Sequence, residues 1–360
     1  KIEFGIIHTC YTADTNEKLQ SHLKKKFTNY EIKKIIKSLK KINNQAIKMF
    51  KVDLEKIKIL KKKIEKIEKS KMYNIDKIYW LIEDCKRFGT LPFAGIARCA
   101  FISKDILNSF VRTKILTQMD LELFLKSIKT VSTDVNNDLY KLTPKKFKIK
   151  YGHIRPNSYD IESKNYEENY KNYFNFSTSQ FKDDIVSFKF SNIQKKKINN
   201  FLKNAELNLS FEGLINFIKS SIQLREYSKF IFTKSIDRIF KYLKILGKRL
   251  KINNHDLAFT NIKTIKDLYY NLSNHDIIEK LRSEIRINKN DYEENKFIKL
   301  PEVITNKNDI YFFKETENKI NFVGSEKVTG SLMLLDKSNK INLENKSFID
   351  FQSNNLLIVG

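Results

Sequence analysis

The chain has 360 residues and carries 68 Lys and Arg against 42 Asp and Glu, a formal charge of +26. A hydrophobic fraction of 41% with 27 Phe and 16 Tyr excludes a wholly disordered chain, and 9 Gly with 4 Pro exclude a collagen-like one. Three cysteines cannot build a disulfide framework and fit a reducing, cytoplasmic setting, and no apolar run reaches the roughly 18 residues of a membrane-spanning helix.

Residues 1–12 alternate like a short strand, and ADTNEK follows as a turn. The opening on Lys1 and the abrupt apolar end at LLIVG read as a piece of a longer protein. From 24 to 71, eighteen lysines stand against five acids. Ile32, Ile35, Ile36 and Leu39, then Ile57, Leu60, Ile64 and Ile67, give two helical faces, read together as a lysine-rich helical hairpin. Thr28 with Glu31 three residues on is a capping pair. Residues 73–88 read as a buried helix with Trp80 in the core, broken at GTLP because Pro92 biases Leu91 away from helical geometry. FAGIARCAFISKDILNSFV resumes as a helix, with small Ala94, Gly95, Ala97 and Ala100 suited to close packing. Thr117 and Asp120 cap the next, MDLELFLKSIKTVSTDV.

Residues 141–161 hold two prolines and a glycine and read as a structured loop, and 162–190 as a surface loop or linker. Helical patterning returns at 192–204 and 211–221 and is strongest over 222–248, with Gly247 as its expected end. Beyond 300, DIYFF, KINFVG, VTGSLMLL, KINLE and NLLIVG resemble short strands. The expected fold is mainly α with an α+β character. Residues 1–161 form the first part of a helical domain and 191–299 its second part, with 300–360 a β-rich, truncated segment.

Lysine far outnumbers arginine and travels with Asn, Ile, Phe and Tyr, a bias typical of AT-rich coding. No finger, RNP or basic-zipper pattern accompanies it, which argues against nucleic acid; an acidic partner or a polyanion is the other use of such charge. His8 and Cys10 lack further ligands nearby for a metal, and Cys85 and Cys99 sit in apolar helices as small buried groups. The densest polar cluster is Tyr151, His153, Arg155 and Asp160, with Gly152 allowing a close backbone approach. Arg155 suits a phosphate or carboxylate clamp, His153 suits proton or hydrogen-bond donation, and Asp160 can orient either. The plainer reading is a loop with an Arg–Asp pair inside it. Arg225, Glu226 and Lys229 form charged neighbours that can line a cleft, and Arg98 and Arg112 are isolated cations among apolar residues. No Walker, kinase or dinucleotide motif occurs.

Several strings taken in order, IEFGIIHTCYT (2–12), FGTLPFAGIARCAFISKDILNSFV (88–111), LELFLKSIKTVSTDV (121–135), KYGHIRPNSYDI (150–161), LREYSKFIFTKSIDRIF (224–240), LPEVITNKNDIYFF (300–313) and NFVGSEKVTG (321–330), resemble the central region of phosphoenolpyruvate synthase-like, phosphohistidine-relay kinases. The branch they most resemble is the capsule-associated type that phosphorylates the amide nitrogen of L-glutamine. The resemblance implies an N-terminal ATP-grasp domain and a C-terminal phosphohistidine swivelling domain in the same protein, of which 300–360 would be only the edge. It implies ATP and Mg2+ used by the full-length enzyme and not by this segment. It also implies a relay in which a mobile histidine takes phosphate from ATP, releasing AMP and phosphate, and passes it to a small acceptor such as L-glutamine. His153 belongs to the central YGH string and is therefore not the relay histidine. Substrate or phosphate contacts are expected among Tyr151, His153, Arg155, Asp160, Arg98, Arg112, Arg225 and Glu226.

Overall fold

The computed structural model describes residues 8–24, 26–174, 186–270, 274–301, 303–313, 331–335 and 355–359, the last two segments as backbone. Two compact units divide the chain, Lys1–Lys296 and Phe297–Gly360.

The first unit is mainly α-helical. Helices α1 (Thr15–Leu23), α2 (Asn29–Lys69), α3 (Asn74–Cys85) and α4 (Leu91–Arg112) are followed by α5 (Gln118–Lys126), α6 (Val131–Lys141) and α7 (Pro144–Tyr151). After these come α8 (Asn192–Asn204), α9 (Phe211–Leu250) and α10 (Asn274–Asn295). The core forms where α2, α3, α4 and α9 pack on one another. Ile57, Leu60, Leu81, Ile96, Leu214 and Phe232 are essentially solvent-free there, each contributing about 1.5–3 kcal/mol by burial. Among the described residues no helix is long and apolar enough to cross a membrane.

Both local caps form as the spacing dictates. Thr28 accepts from the Glu31 amide while Glu31 answers the Thr28 amide, and Thr117 and Asp120 do the same for α5. The 24–71 hairpin does not form: α2 is one helix of 41 residues, about 60 Å long. The Asn43–Asn44 pair, a natural place to turn, stays helical because the buried Asn43 amide is used elsewhere. Its Nδ2 donates to the Tyr11 carbonyl at 2.8 Å and its Oδ1 accepts from the Tyr11 amide at 3.3 Å. The expected strand at 1–12 lies largely outside the described residues, and 8–12 is irregular backbone.

GTLP does not break the helix either. Lys86–Thr90 is a single wide π turn joining α3 to α4, with Leu91 in right-handed helical geometry and its N–H donating to the Lys86 carbonyl. Pro92 falls in the first turn of α4, where a missing N–H costs least. Gly89 is needed in that turn, since a Cβ there would lie 3.0 Å from the Leu60 side chain and from Phe232 Cβ. Trp80, expected in the core, is 39% exposed because Ile78, Leu81, Ile82 and Cys85 take the inward face of α3.

Pro144 stands at the first position of α7, turning the start of the 141–161 loop into a helix. Residues 162–174 are a packed strap and not a linker, with Asn165 and Tyr170 both buried. The helix α9 runs through Gly247 and stops at Lys251, whose φ of 55° is left-handed. Gly247 instead lets the chain fold back: its carbonyl accepts the Ile252 amide at 2.8 Å.

In the second unit, Ser331–Leu335 (β1) and Asn355–Val359 (β2) pair in parallel, with Ser331 opposite Asn355 and Leu335 opposite Val359. DIYFF is not a strand; Lys307–Ile310 is a 3-10 turn, capped by the Asn306 side chain on the Asn308 amide. KINFVG and KINLE lie outside the described residues.

Candidate functional site

A cleft of about 330 Å3 opens in the first unit between the N-terminal half of α6, the loop after α7 and the middle of α9. Ser132 and Asn136 come from α6, His153 and Arg155 from the loop, and Glu226, Lys229 and Phe230 from α9. Tyr166 of the strap and Thr233 complete much of the wall.

The loop is rigid for identifiable reasons. Gly152 follows α7 so closely that a Cβ on it would meet the Lys148 carbonyl at 2.3 Å and Glu167 Cβ at 3.0 Å. Its carbonyl accepts the Glu167 amide at 3.0 Å, tying loop to strap. Below it, Tyr151 donates its hydroxyl to Asp138 at 2.7 Å, and Lys150 reaches the same carboxylate at 2.6 Å. Phe147, Tyr151 and Tyr170 form a small aromatic core beneath the loop. Tyr151 is therefore a support, with burial pushing its phenol up to about 12.

Arg155 is buried and fully engaged. Its guanidinium pairs with Asp237 of α9, donates to the Asp160 and Ser163 carbonyls at 3.3 and 3.1 Å, and lies over the Phe240 ring. Asn165 also donates to Asp237 at 2.8 Å, and Arg238 closes the other side of that carboxylate at 2.9 Å while reaching Glu68 of α2. The Arg–Asp pair suggested by the sequence thus exists, but with Asp237 in place of Asp160. The Asp160 carboxylate instead accepts the Glu162 amide at 2.8 Å. This arrangement holds the loop on α9 and leaves Arg155 no free fork for a phosphate.

His153 is also buried, with ring Nε2 2.9 Å from the Phe230 carbonyl. Burial pushes the imidazole down to about 4, against the upward pull of that carbonyl. The ring is neutral near pH 7. A carbonyl only accepts, so Nε2 carries the proton and Nδ1 keeps a lone pair. Glu226 pairs with its neighbour Arg225 at 3.1 Å, and Arg225 lies over Phe101 beside the cleft rather than in its wall. Lys229 is exposed in the wall and makes no ion pair among the described residues. The cleft thus offers one exposed lysine, one carboxylate, several hydroxyls, and a neutral histidine held in one tautomer.

The other two arginines lie elsewhere. Arg112 grips Asp14 with two guanidinium nitrogens. Burial opposes ionisation of Asp14, yet hydrogen bonds from Arg112, Thr12 and Lys18 outweigh it and hold the carboxyl far below its usual range. Arg98 is exposed on α4 and lines a different depression. Ser132, Asn136 and Asp237 were not among the sequence candidates. Asp237 carried a readable signal, a charge between the apolar Ile236 and Ile239 of a helix.

Cys10, Cys85 and Cys99 are buried free thiols, each pushed up to about 12 by burial. Among the described residues no three His, Cys, Asp or Glu side chains converge as a metal site requires. Glu226 is the one carboxylate among the residues lining the cleft. These residues do not fit a Mg2+–nucleotide site. No family model, curated protein or solved structure matches the chain.

Proposed function

We propose that this chain is the central, acceptor-side region of a phosphoenolpyruvate synthase-like, phosphohistidine-relay phosphotransferase. Its cleft receives a small acceptor, taken to be L-glutamine in capsule phosphoramidate synthesis. The observation that carries this reading is convergence. Ser132, His153, and Glu226 with Lys229 and Phe230 come from the strings LELFLKSIKTVSTDV, KYGHIRPNSYDI and LREYSKFIFTKSIDRIF, far apart in sequence, and they line one cleft.

The chemistry of the wall suits such an acceptor. In the transfer, the P–N bond of a phosphohistidine carried to the cleft by a domain outside this chain breaks, a P–N bond to the amide nitrogen forms, and the proton lost by that nitrogen ends on the released imidazole. Lys229 supplies positive charge for a carboxylate or for the transferring phosphoryl oxygens. The lone pair on His153 Nδ1 suits an amide N–H. With its basicity lowered by burial, this histidine orients the group and does not abstract the proton. Glu226 is the base nearest in kind. ATP and Mg2+ belong to the ATP-grasp domain that the resemblance implies, and 300–360 to the edge of the swivelling domain.

The test uses a protein carrying this chain with the two implied domains, incubated with ATP, Mg2+ and L-glutamine and followed by phosphorus NMR. A phosphoramidate signal is expected, reduced at least tenfold in Lys229→Ala. Formation of AMP and phosphate with the same product yield in wild type and variant would remove the cleft from the reaction. If no phosphohistidine forms at all, the family reading itself fails.

A further inference from the structure

A second depression, about 230 Å3, lies between α2 and α4 and is lined by Ile42, Gln45, Met49, Asp53, Gly95 and Arg98. Gly95 opens it: a Cβ there would stand 2.0 Å from Asp53 Oδ2, so only glycine lets that carboxylate tuck under α4. Beyond the lining residues, α2 carries further exposed apolar side chains. Ile42, Met49, Val52 and Ile59 are each between 39% and 47% exposed. In heptad terms Ile42 and Met49 take one seam position and Val52 and Ile59 the other, with Gln45 and Lys56 at the seam places between them. On α4, Leu91 is 67% exposed and Ala94 and Arg98 follow it on the same face.

These residues are on the outer side of helices whose inner faces already fill the core, so folding of this unit does not explain them. The charges beside them favour one class of occupant. Lys41 and Lys48 are exposed and adjoin Ile42 and Met49, and Arg98 is exposed in the opposite wall. None of the three makes an ion pair among the described residues. The nearby acids are already answered, Asp53 by Lys56 at 3.7 Å and Glu55 by Lys58 at 2.6 Å.

We infer that the α2–α4 groove docks an acidic amphipathic helix, its apolar stripe laid on Ile42, Met49, Val52 and Leu91 and its carboxylates paired with Lys41, Lys48 and Arg98. A second copy of this chain is a poor occupant because it would bring the same cations to the contact. A bare polyanion would meet the lysines and leave the seam uncovered. Met49 suits a helix-in-groove site because its unbranched thioether adapts to a partner's shape. The run from Ile42 to Ile59 spans about 26 Å, so a helix of three heptads matches it. The inference stands on this surface alone and does not depend on the cleft or its proposed chemistry.

The probe is a synthetic 21-residue peptide with Leu at a and d positions and Glu at the flanking ones, labelled for fluorescence anisotropy. The controls are the same composition with the leucines scrambled, a Lys-flanked version, and polyglutamate. The 360-residue chain should bind the striped acidic peptide at least tenfold more tightly than any control. Met49→Asp and Leu91→Asp should each weaken it about tenfold without changing the circular dichroism, since both sites are exposed. Equal binding of the scrambled peptide or of polyglutamate would reduce the surface to charge attraction and overturn the inference. So would absence of binding, or sedimentation showing that the chain pairs with itself through this face.

Discussion

Arg155 and Asp237 face each other with side chains only 3% and 2% exposed, joining the loop after α7 to the middle of α9. This pair also engages Asn165 and Arg238, so the wall of the cleft is held by a network and not by a single contact. Removing one partner leaves the other charged and without water. Asp237→Ala should therefore cost about 3–5 kcal/mol, read as a shift of the urea midpoint. Asp237→Leu combined with Arg155→Met should recover most of that loss, because no charge then remains stranded. A loss below ~1 kcal/mol for the single variant would mean that the pair is solvated.

His153 gives the fold a defined acid sensitivity. Its folded-state value near 4 lies below the ordinary 6.5, so the unfolded chain binds more protons between those limits. Stability from this group is complete above about pH 6.5 and is lost as pH falls toward 4. The difference is worth roughly 3 kcal/mol. His153→Gln, which can still donate to the Phe230 carbonyl, should flatten that part of the stability–pH curve. If wild type and variant lose stability in parallel from pH 7 to 4, the ring is not buried as described.

The three thiols offer a simple check on packing. Cys10, Cys85 and Cys99 are buried and pushed up to about 12, and thiolate is the reactive form. Ellman's reagent at pH 8 should find almost no reactive thiol in the folded chain and three after denaturation. A fast-reacting equivalent in the native protein would show an open path to one of them.

Gly152→Ala tests the close fit between loop and strap. The added methyl meets the Lys148 carbonyl and Glu167 Cβ, and the backbone must shift to admit it. A loss of about 1–3 kcal/mol is expected, with line broadening of the Tyr151 and His153 ring resonances. Unchanged stability and spectra would show that the strap is not seated on Gly152.

Much of the helical plan was legible because its signals are local. Thr28 with Glu31 and Thr117 with Asp120 announce helix starts within four residues, and the 3.6-residue spacing of Ile57, Leu60 and Ile64 marks the inward face of α2. What failed depended on distant partners. The hairpin expected over 24–71 is one helix, and Tyr11, which no local spacing could reveal, occupies the Asn43 amide within it. Pro92 reads as a break until the wide turn before it is known. In the cleft, His153, Arg155 and Glu226 were legible from unusual local chemistry. The exchange of Asp160 for Asp237 as the partner of Arg155 required knowing that residues 82 apart meet.

The wide turn at Lys86–Thr90 has a consequence for how this fold tolerates change in chain length. It holds one more residue than an ordinary helical turn would use, so α3 and α4 run as one rod whose two ends follow different angular phases. Removing one residue from it would restore uniform winding and leave α4 facing as it does, with Ile96 still inward and Arg112 still beside Asp14. A one-residue change of length elsewhere in the rod would instead turn everything after it by about 100°. The wide turn is thus the place where the central helical layer can absorb a change of length.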